Sequence, residues 1–419
     1  MTGASARKID IAAWPFAGEL ARLLDVLDRD GEEARIVGGA VRNALIDVPV
    51  HEVDVATTAV PEEVVRRVKA AGFKAVPTGI EHGTVTVVID KHPFEVTTLR
   101  TDVETYGRHA KVAFGRDWKE DSARRDFTIN ALSVTRDGTV YDYAGGLEDL
   151  AVRRVRFIGD PHKRIAEDYL RILRFFRFHA AYGPGGHPDA EGLAACIAGR
   201  DGLDQLSRER VRQEMMKLLV AAHAVPTLVV MADAGLALRI LGGVTYLASF
   251  VNVTKSEAAI GAKPCPVRRI GALAVSVAED AVRLFERLRL TNNEHARLVS
   301  MAEGWRRISP VVGEGGARAL IYRLGPEAFT DHALLGWARS QASAHDADWL
   351  ELATLPQRFT APVFPLKAAD FIKRGVAKGP DMGVALRAAE VAWIAQGFPA
   401  SASALDEIAD TAIASSQSS

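Results

Sequence analysis

Cysteine is almost absent from this chain: Cys196 and Cys265 are the only two among 419 residues. Two thiols cannot build a four-cysteine zinc centre and give no disulfide framework, which fits a reducing, cytoplasmic compartment. Net charge is lacking too. The formal value is −1, so there is no global basic bias, and any contact with nucleic acid must come from local patches. No apolar run reads as a membrane span, and no membrane partner is expected. The most apolar stretch, Leu218 to Leu247, is interrupted by His223, Pro226, Asp233 and Arg239 and reads as buried helices. The opening MTGASARKIDIAAWPF has no continuous apolar core, so no signal peptide is expected. There is no repeat of fixed period. A G-x-x-x-x-G-K-[ST] phosphate loop and an HExxH motif are both missing. His345-Asp346 is a lone dipeptide without metal-spaced histidines, so no phosphohydrolase domain is assigned.

What is present is an ordinary globular composition, 48% hydrophobic and 25% charged, over a length that suggests two to four domains. The first part mixes strands and helices. Ile36–Val37, Val53–Thr57, Thr84–Ile89 and Phe94–Leu99 are rich in β-branched residues and read as strands, the last two joined through Asp90-Lys91-His92-Pro93. Phe127–Thr135 and Thr139–Tyr143 are further strand candidates around an Asp137-Gly138 turn. Pro61 with Glu62 and Glu63 opens a helix that closes near Gly72. After about Arg156 strand signals nearly vanish. Helical patterns follow over Ile165–Ala180, Arg208–Ala222, Asp280–Leu288 and Asn293–Ile308, with a loop at His179–Pro188 and a fraying Ser/Ala-rich tail from Ala400. The fold class is α+β: a head with a mixed sheet over 1–152, a helical neck over 153–225, and a helical body and tail over 226–419.

One stretch carries the chemistry. Arg35 to Thr57 reads RIVGGAVRNALIDVPVHEVDVAT. An apolar strand ends in Gly38 and Gly39, Arg42 follows three residues later, and a second strand carries Glu52 and Asp54. Residues two apart on a strand face the same way, so the two carboxylates can converge. A glycine pair lets the backbone approach a phosphate, and a helix start favours anions. An anion cradle beside paired carboxylates suits a nucleotidyl transferase, which must hold a triphosphate and its activating metal.

The order and spacing resemble the head signature of the class II tRNA nucleotidyltransferases, the CCA-adding enzymes and bacterial poly(A) polymerases of the polymerase β superfamily. The family pattern is GGxVRD, a spacer, then DxDxxT. This chain supplies Gly38, Gly39, Val41, Arg42, Glu52, Asp54 and Thr57. It departs at Glu52 and Asn43, where the family usually has aspartate. Glutamate is still a hard oxygen ligand for Mg²⁺.

The resemblance implies the remaining roles. Arg124, Arg125 and Asp126 match RRDFTINAL without substitution. An arginine there would fork onto phosphate oxygens, and Asp126 would accept from ribose hydroxyls. Asp142-Tyr143-Ala144-Gly145-Gly146 with Asp149 matches another family block and reads as a turn. Asp168 and Arg171, in EDYLRILR, stand at i and i+3 and would read the Watson–Crick edge of the base, with Glu167 orienting Arg171. Ser207 begins a helix whose Arg210 and Glu214 brace the pocket. Glu95, in FEVTTLR, is a third carboxylate suited to metal binding or to acting as a base; its alternative is an ordinary sheet carboxylate paired with Arg100 or Lys91. Glu104 to Glu120 reads as a polar loop, where the family has a flexible loop that helps switch nucleotides.

The implied activity is metal-dependent, template-independent addition of CCA to the tRNA 3′ end from CTP and ATP, with Mg²⁺ at Glu52 and Asp54. Poly(A) polymerase and CC-only or A-only enzymes share these motifs and stay open as alternatives. A different class, a catalytically weakened RNA-binding protein, is favoured only by Glu52 and Asn43. The sequence gives no oligomeric state.

Overall fold

The computed structural model describes residues 4–106 and 109–416. The chain divides into two compact units, Met1–Ile240 and Leu241–Ser419. In the first unit the strands are β1 (Ala4–Lys8), β2 (Ala34–Val37), β3 (Asp54–Thr57), β4 (Lys74–Gly79), β5 (Thr84–Ile89), β6 (His92–Thr98), β7 (Arg100–Tyr106), β8 (His109–Phe114), β9 (Ser133–Val134) and β10 (Thr139–Tyr141). Eight of them form one sheet in the order β1-β10-β9-β2-β3-β6-β5-β4, while β7 and β8 pair separately. The β3–β6 pair is parallel and the other neighbours run antiparallel, so the sheet is mixed as expected.

The side-chain pattern explains the sheet. In β5, Val85, Val87 and Ile89 are buried and alternate with half-exposed neighbours. Asp90 and Lys91 both have positive φ, 48° and 73°, which is what a two-residue hairpin turn requires. The strand therefore resumes at His92, two residues before the sequence suggested.

The helices of this unit are α1 (Ala17–Leu27), α2 (Gly39–Leu45), α3 (Pro61–Ala70), α4 (Trp118–Ala123), α5 (Gly146–Ala151), α6 (Pro161–Glu167), α7 (Leu170–Tyr182), α8 (Ala190–Ala198) and α9 (Arg208–Leu219), followed by Ala224–Asp233. α1 buries Leu20, Leu23, Leu24 and Leu27, one stripe at helical spacing. α3 runs from Pro61 and stops before Gly72, as read from its residues.

Several expectations need correction. Glu104–Glu120 is not one loop: it holds the end of β7, all of β8 and the start of α4, which Asp117 caps by accepting from the Lys119 and Glu120 amides. Gly107 of that stretch lies outside the described residues. Phe127–Thr135 is not one strand. Asp126 takes the Phe127 amide and the Asn130 side chain, a 3₁₀ turn forms over Thr128–Asn130, and only Ser133–Val134 joins the sheet. The expected helix over Ile165–Ala180 is broken at Asp168, whose backbone is extended (φ −156°) and whose carboxylate accepts from the Leu170 amide, restarting the chain as α7. α7 then runs on to Tyr182, so the loop expected from His179 begins only at Gly183. Ser207 occupies the cap position of α9 without a side-chain capping bond.

In the second unit the regular elements of the described residues are all helices. A buried ionic cluster ties four of its helices. Arg268 and Arg269 both donate to Glu257, and Arg268 and Arg297 both donate to Asp331, with Glu257 and Asp331 almost fully enclosed. The tail is a further correction: Ala402–Ser416 is a helix, and Ile408, Ala409 and Ala412 pack into a core with Phe371 and Trp393. Alanine is the best helix former, and its small side chain lets the tail helix sit close. No helix among the described residues is long and apolar enough to cross a membrane.

Candidate active site

Three neighbouring strands set the floor of the site. Val37, the last residue of β2, pairs with Asp54, the first of β3, and Asp54 is in parallel register with Glu95 of β6. Residues in register on neighbouring strands share a face, so Asp54 and Glu95 stand side by side. Glu52 lies just before β3, outside the regular strand, and reaches the same cleft. Asp54 is open to water at the cleft floor, yet the protein crowded around it raises its pKa above the ordinary aspartate value. Lost hydration is the largest cause and the negative charge of Glu95 the next; Arg125 opposes the shift and Glu52 adds to it. Among the described residues no side chain donates a hydrogen bond to Glu52, Asp54 or Glu95.

The chain then turns sharply. Gly38 has φ 71° and ψ −125°, a conformation closed to other residues, and a Cβ there would lie 3.3 Å from Arg125 Nη1. α2 starts at Gly39 and carries Arg42 inward. Arg42 is buried; its Nη1 donates to Asn130 Oδ1 at 2.5 Å, its Nη2 to the Tyr182 hydroxyl at 2.6 Å, and Nε and Nη2 to Asn43 Oδ1 at 3.2 and 2.9 Å.

The opposite wall comes from α4, the turn after it, and α7. Asp121, buried on α4, holds both arginines of the RRD motif: Arg124 Nε donates to it at 2.8 Å and Arg125 Nη2 at 3.4 Å. Asp126 is saturated. Its Oδ1 accepts from Phe127 N at 2.9 Å and Asn130 Nδ2 at 3.2 Å, and its Oδ2 from Arg174 Nε at 2.7 Å and Nη2 at 2.6 Å. Burial alone would raise the Asp126 pKa, but the charge of Arg174 and these hydrogen bonds outweigh it and hold the pKa low. Asp168 Oδ2 accepts from Arg210 Nη2 at 2.6 Å, and Arg171 pairs with Glu167. Glu214 of α9 accepts from Arg177.

Eleven of the residues singled out from the sequence line one cleft of about 690 Å³: Gly38, Gly39, Arg42, Glu52, Asp54, Glu95, Arg124, Arg125, Asp126, Asp168 and Arg171. Arg210 stands behind it, bonded to Asp168. The structure adds Arg100, Asn130, Arg174, Arg177 and Phe178 to the lining, and Asp121 and Tyr182 behind it. Part of this was readable. Arg171, Arg174 and Arg177 repeat every three residues along α7 and so form one stripe. Asp121 stands three and four residues before Arg124 and Arg125. Tyr182 carried no such signal. The cleft thus sets Glu52, Asp54 and Glu95, to which no side chain among the described residues donates, against guanidinium groups on the other side, an arrangement suited to a polyanion with its cations.

Two family models match the chain: the poly A polymerase head domain over residues 34–156, and the probable RNA and SrmB-binding site of polymerase A over residues 188–246. The mitochondrial CCA tRNA nucleotidyltransferase 1 of Mus musculus is 33% identical over 393 residues, which cover 91% of this chain and 88% of the relative. The chain belongs to the CCA-adding tRNA nucleotidyltransferase family. The CCA-adding enzyme of Limosilactobacillus fermentum is 33% identical, covering 90% of this chain and 92% of its own. The Bacillus stearothermophilus CCA-adding enzyme, solved in complex with CTP, superposes with a TM-score of 0.70 at 26% identity, covering 91% of this chain and 93% of that one. The α+β head followed by helices is thus the architecture of CCA-adding enzymes, and nucleotidyl transfer in this superfamily depends on a metal.

Proposed function

We propose that this chain adds or repairs the 3′-terminal CCA of tRNA, using CTP and ATP. The carrying observation is the cleft itself, where Asp54 and Glu95 stand in register opposite the arginines of the RRD motif and α7. The tRNA 3′-hydroxyl attacks the α-phosphate, the new phosphodiester bond forms, and the bond to the β-phosphate breaks, releasing pyrophosphate. Glu52 and Asp54 are the residues that would hold Mg²⁺, with Glu95 beside them. Their hard oxygens, to which no side chain among the described residues donates, suit that ion. Among the described residues no three His, Cys, Asp or Glu side chains close on one point, so substrate and water would complete its shell. Bound there, the metal would supply positive charge against the negative charge that develops during the transfer.

The chain's own residues position the substrates. Gly38, Gly39 and Arg42 face the triphosphate, and Arg124 and Arg125, steadied by Asp121, add charge along it. Asp168 and Arg171 read the base edge, and Arg210 fixes the Asp168 carboxylate in its direction. Asp126 meets the ribose only by sharing oxygens already engaged by Arg174 and Asn130, so its larger task is to hold Arg174. We place the protein in the cytoplasm, as its unpaired cysteines suggest, although the mouse relative is named mitochondrial. Replacing Asp54 tests the assignment. Asp54→Ala should abolish nucleotide addition while tRNA binding stays nearly intact, and a variant that adds nucleotides at the normal rate would sink it.

A further inference from the structure

Arg42 carries a buried charge that is not ion-paired with a carboxylate among the described residues; the charge of Asp126 acts on it without a direct bond. Arg124 and Arg125 share Asp121, Arg171 has Glu167, Arg174 has Asp126, and Arg177 has Glu214. Arg42 instead bonds Asn43, Asn130 and Tyr182, all neutral, and among the described residues no carboxylate forms an ion pair with it. Burial is the main reason its pKa falls below the ordinary arginine value, so an anion arriving beside it would be favoured.

Of those partners, Asn43 shares α2 with Arg42, Asn130 comes from the 3₁₀ turn over Thr128–Asn130, and Tyr182 comes from α7. It is the last residue of α7, the helix whose first turn carries Arg171. Its ring stacks on Phe178, with centroids 5.8 Å apart and planes at 27°. The Arg42 guanidinium carbon lies 3.8 Å from the Tyr182 ring centroid while Nη2 donates to the hydroxyl. The ring is therefore held from one side by Phe178 and in turn fixes where Arg42 points. A neutral acceptor can do this without cancelling the charge, which a carboxylate in the same place would do.

We propose that Tyr182 is a positioning residue that orients Arg42 toward the phosphate chain of the incoming nucleotide. This rests on the reading that the cleft binds CTP and ATP. The phosphate chain is common to both nucleotides, so Tyr182 acts on them equally, unlike Asp168 and Arg171 at the base.

Tyr182→Phe removes the hydroxyl and keeps the stacked ring. The variant should raise KM for CTP and for ATP alike, by about tenfold, the size expected for losing one hydrogen bond to a charged group. The kcat should stay within about twofold, because chemistry at the floor is untouched. Calorimetric titration with magnesium pyrophosphate should weaken by a similar factor, and this readout needs no turnover. An unchanged KM and pyrophosphate affinity, a change confined to one nucleotide, or a fall in kcat with the melting temperature at constant KM would each overturn the proposal. A wild-type protein that binds pyrophosphate more tightly than Tyr182→Phe yet adds no nucleotide would contradict the activity and leave Tyr182's role standing.

Discussion

The surroundings of Asp54 disfavour its charged form. Its pKa is raised, chiefly by lost hydration and then by Glu95, so the folded chain holds that proton more tightly than the unfolded chain does. The sign follows by linkage. Without metal, the Asp54 charge works against folding at neutral pH, and the penalty fades as pH falls through the raised pKa. Asp54→Asn in chelator should therefore melt at a higher temperature than wild type at neutral pH, though it adds no nucleotide; scanning calorimetry checks the direction. The same raised pKa makes protons compete with the cation. Titration of Mn²⁺ at stepped pH should show affinity falling above the ordinary aspartate range, and Glu95→Gln should move that fall to lower pH. A fall that stays in place would mean Glu95 does not act on Asp54. The Glu95 position was readable from its strand pattern, but its register with Asp54 was not. That depends on a parallel pairing between segments some forty residues apart, which no local pattern encodes.

At the scale of elements, α7 organises the site. It buries Leu170, Ile172, Leu173, Phe175, Phe176 and Phe178, and presents Arg171, Arg174 and Arg177 to the cleft. Residue identities showed the helix and its basic stripe. They did not show its start, because the break at Asp168 comes from a side-chain bond to the Leu170 amide and from Arg210, a partner far along the chain. Likewise the β7–β8 hairpin was hidden because polar, charged strands carry no clear alternation. α9 pins α7 through Glu214, which accepts from Arg177 and lies 3.8 Å from Arg174 Nη1. Removing one member of such an enclosed pair leaves a charge uncompensated. Glu214→Ala should destabilise the protein by about 3 kcal/mol, read by urea denaturation, and should lower discrimination between correct and incorrect nucleotides. A stability loss with selectivity intact would confine Glu214 to structure.

Across the whole molecule, the motifs cluster in the first unit, and the second is legible from sequence only as helical. Its glutamates, aspartates and arginines look like solvated faces when read along the chain. The structure encloses Glu257 and Asp331 among Arg268, Arg269 and Arg297, pairings spread over α-helices that sequence spacing cannot connect. Asp331→Ala should cost about 3–5 kcal/mol while leaving CTP binding unchanged, since Asp331 and the cleft belong to different compact units. Calorimetry with nucleotide titration separates those effects. The central claim concerns what the cleft makes. The direct measurement incubates the protein with Mg²⁺, CTP, labelled ATP and a tRNA transcript ending before its CCA, and sizes the products to single nucleotides. The account predicts three additions and a stop, with CTP required before ATP is used. A long adenylate ladder formed without CTP would make the chain a poly(A) polymerase, and no extension at all would reduce it to an RNA-binding relative of the family.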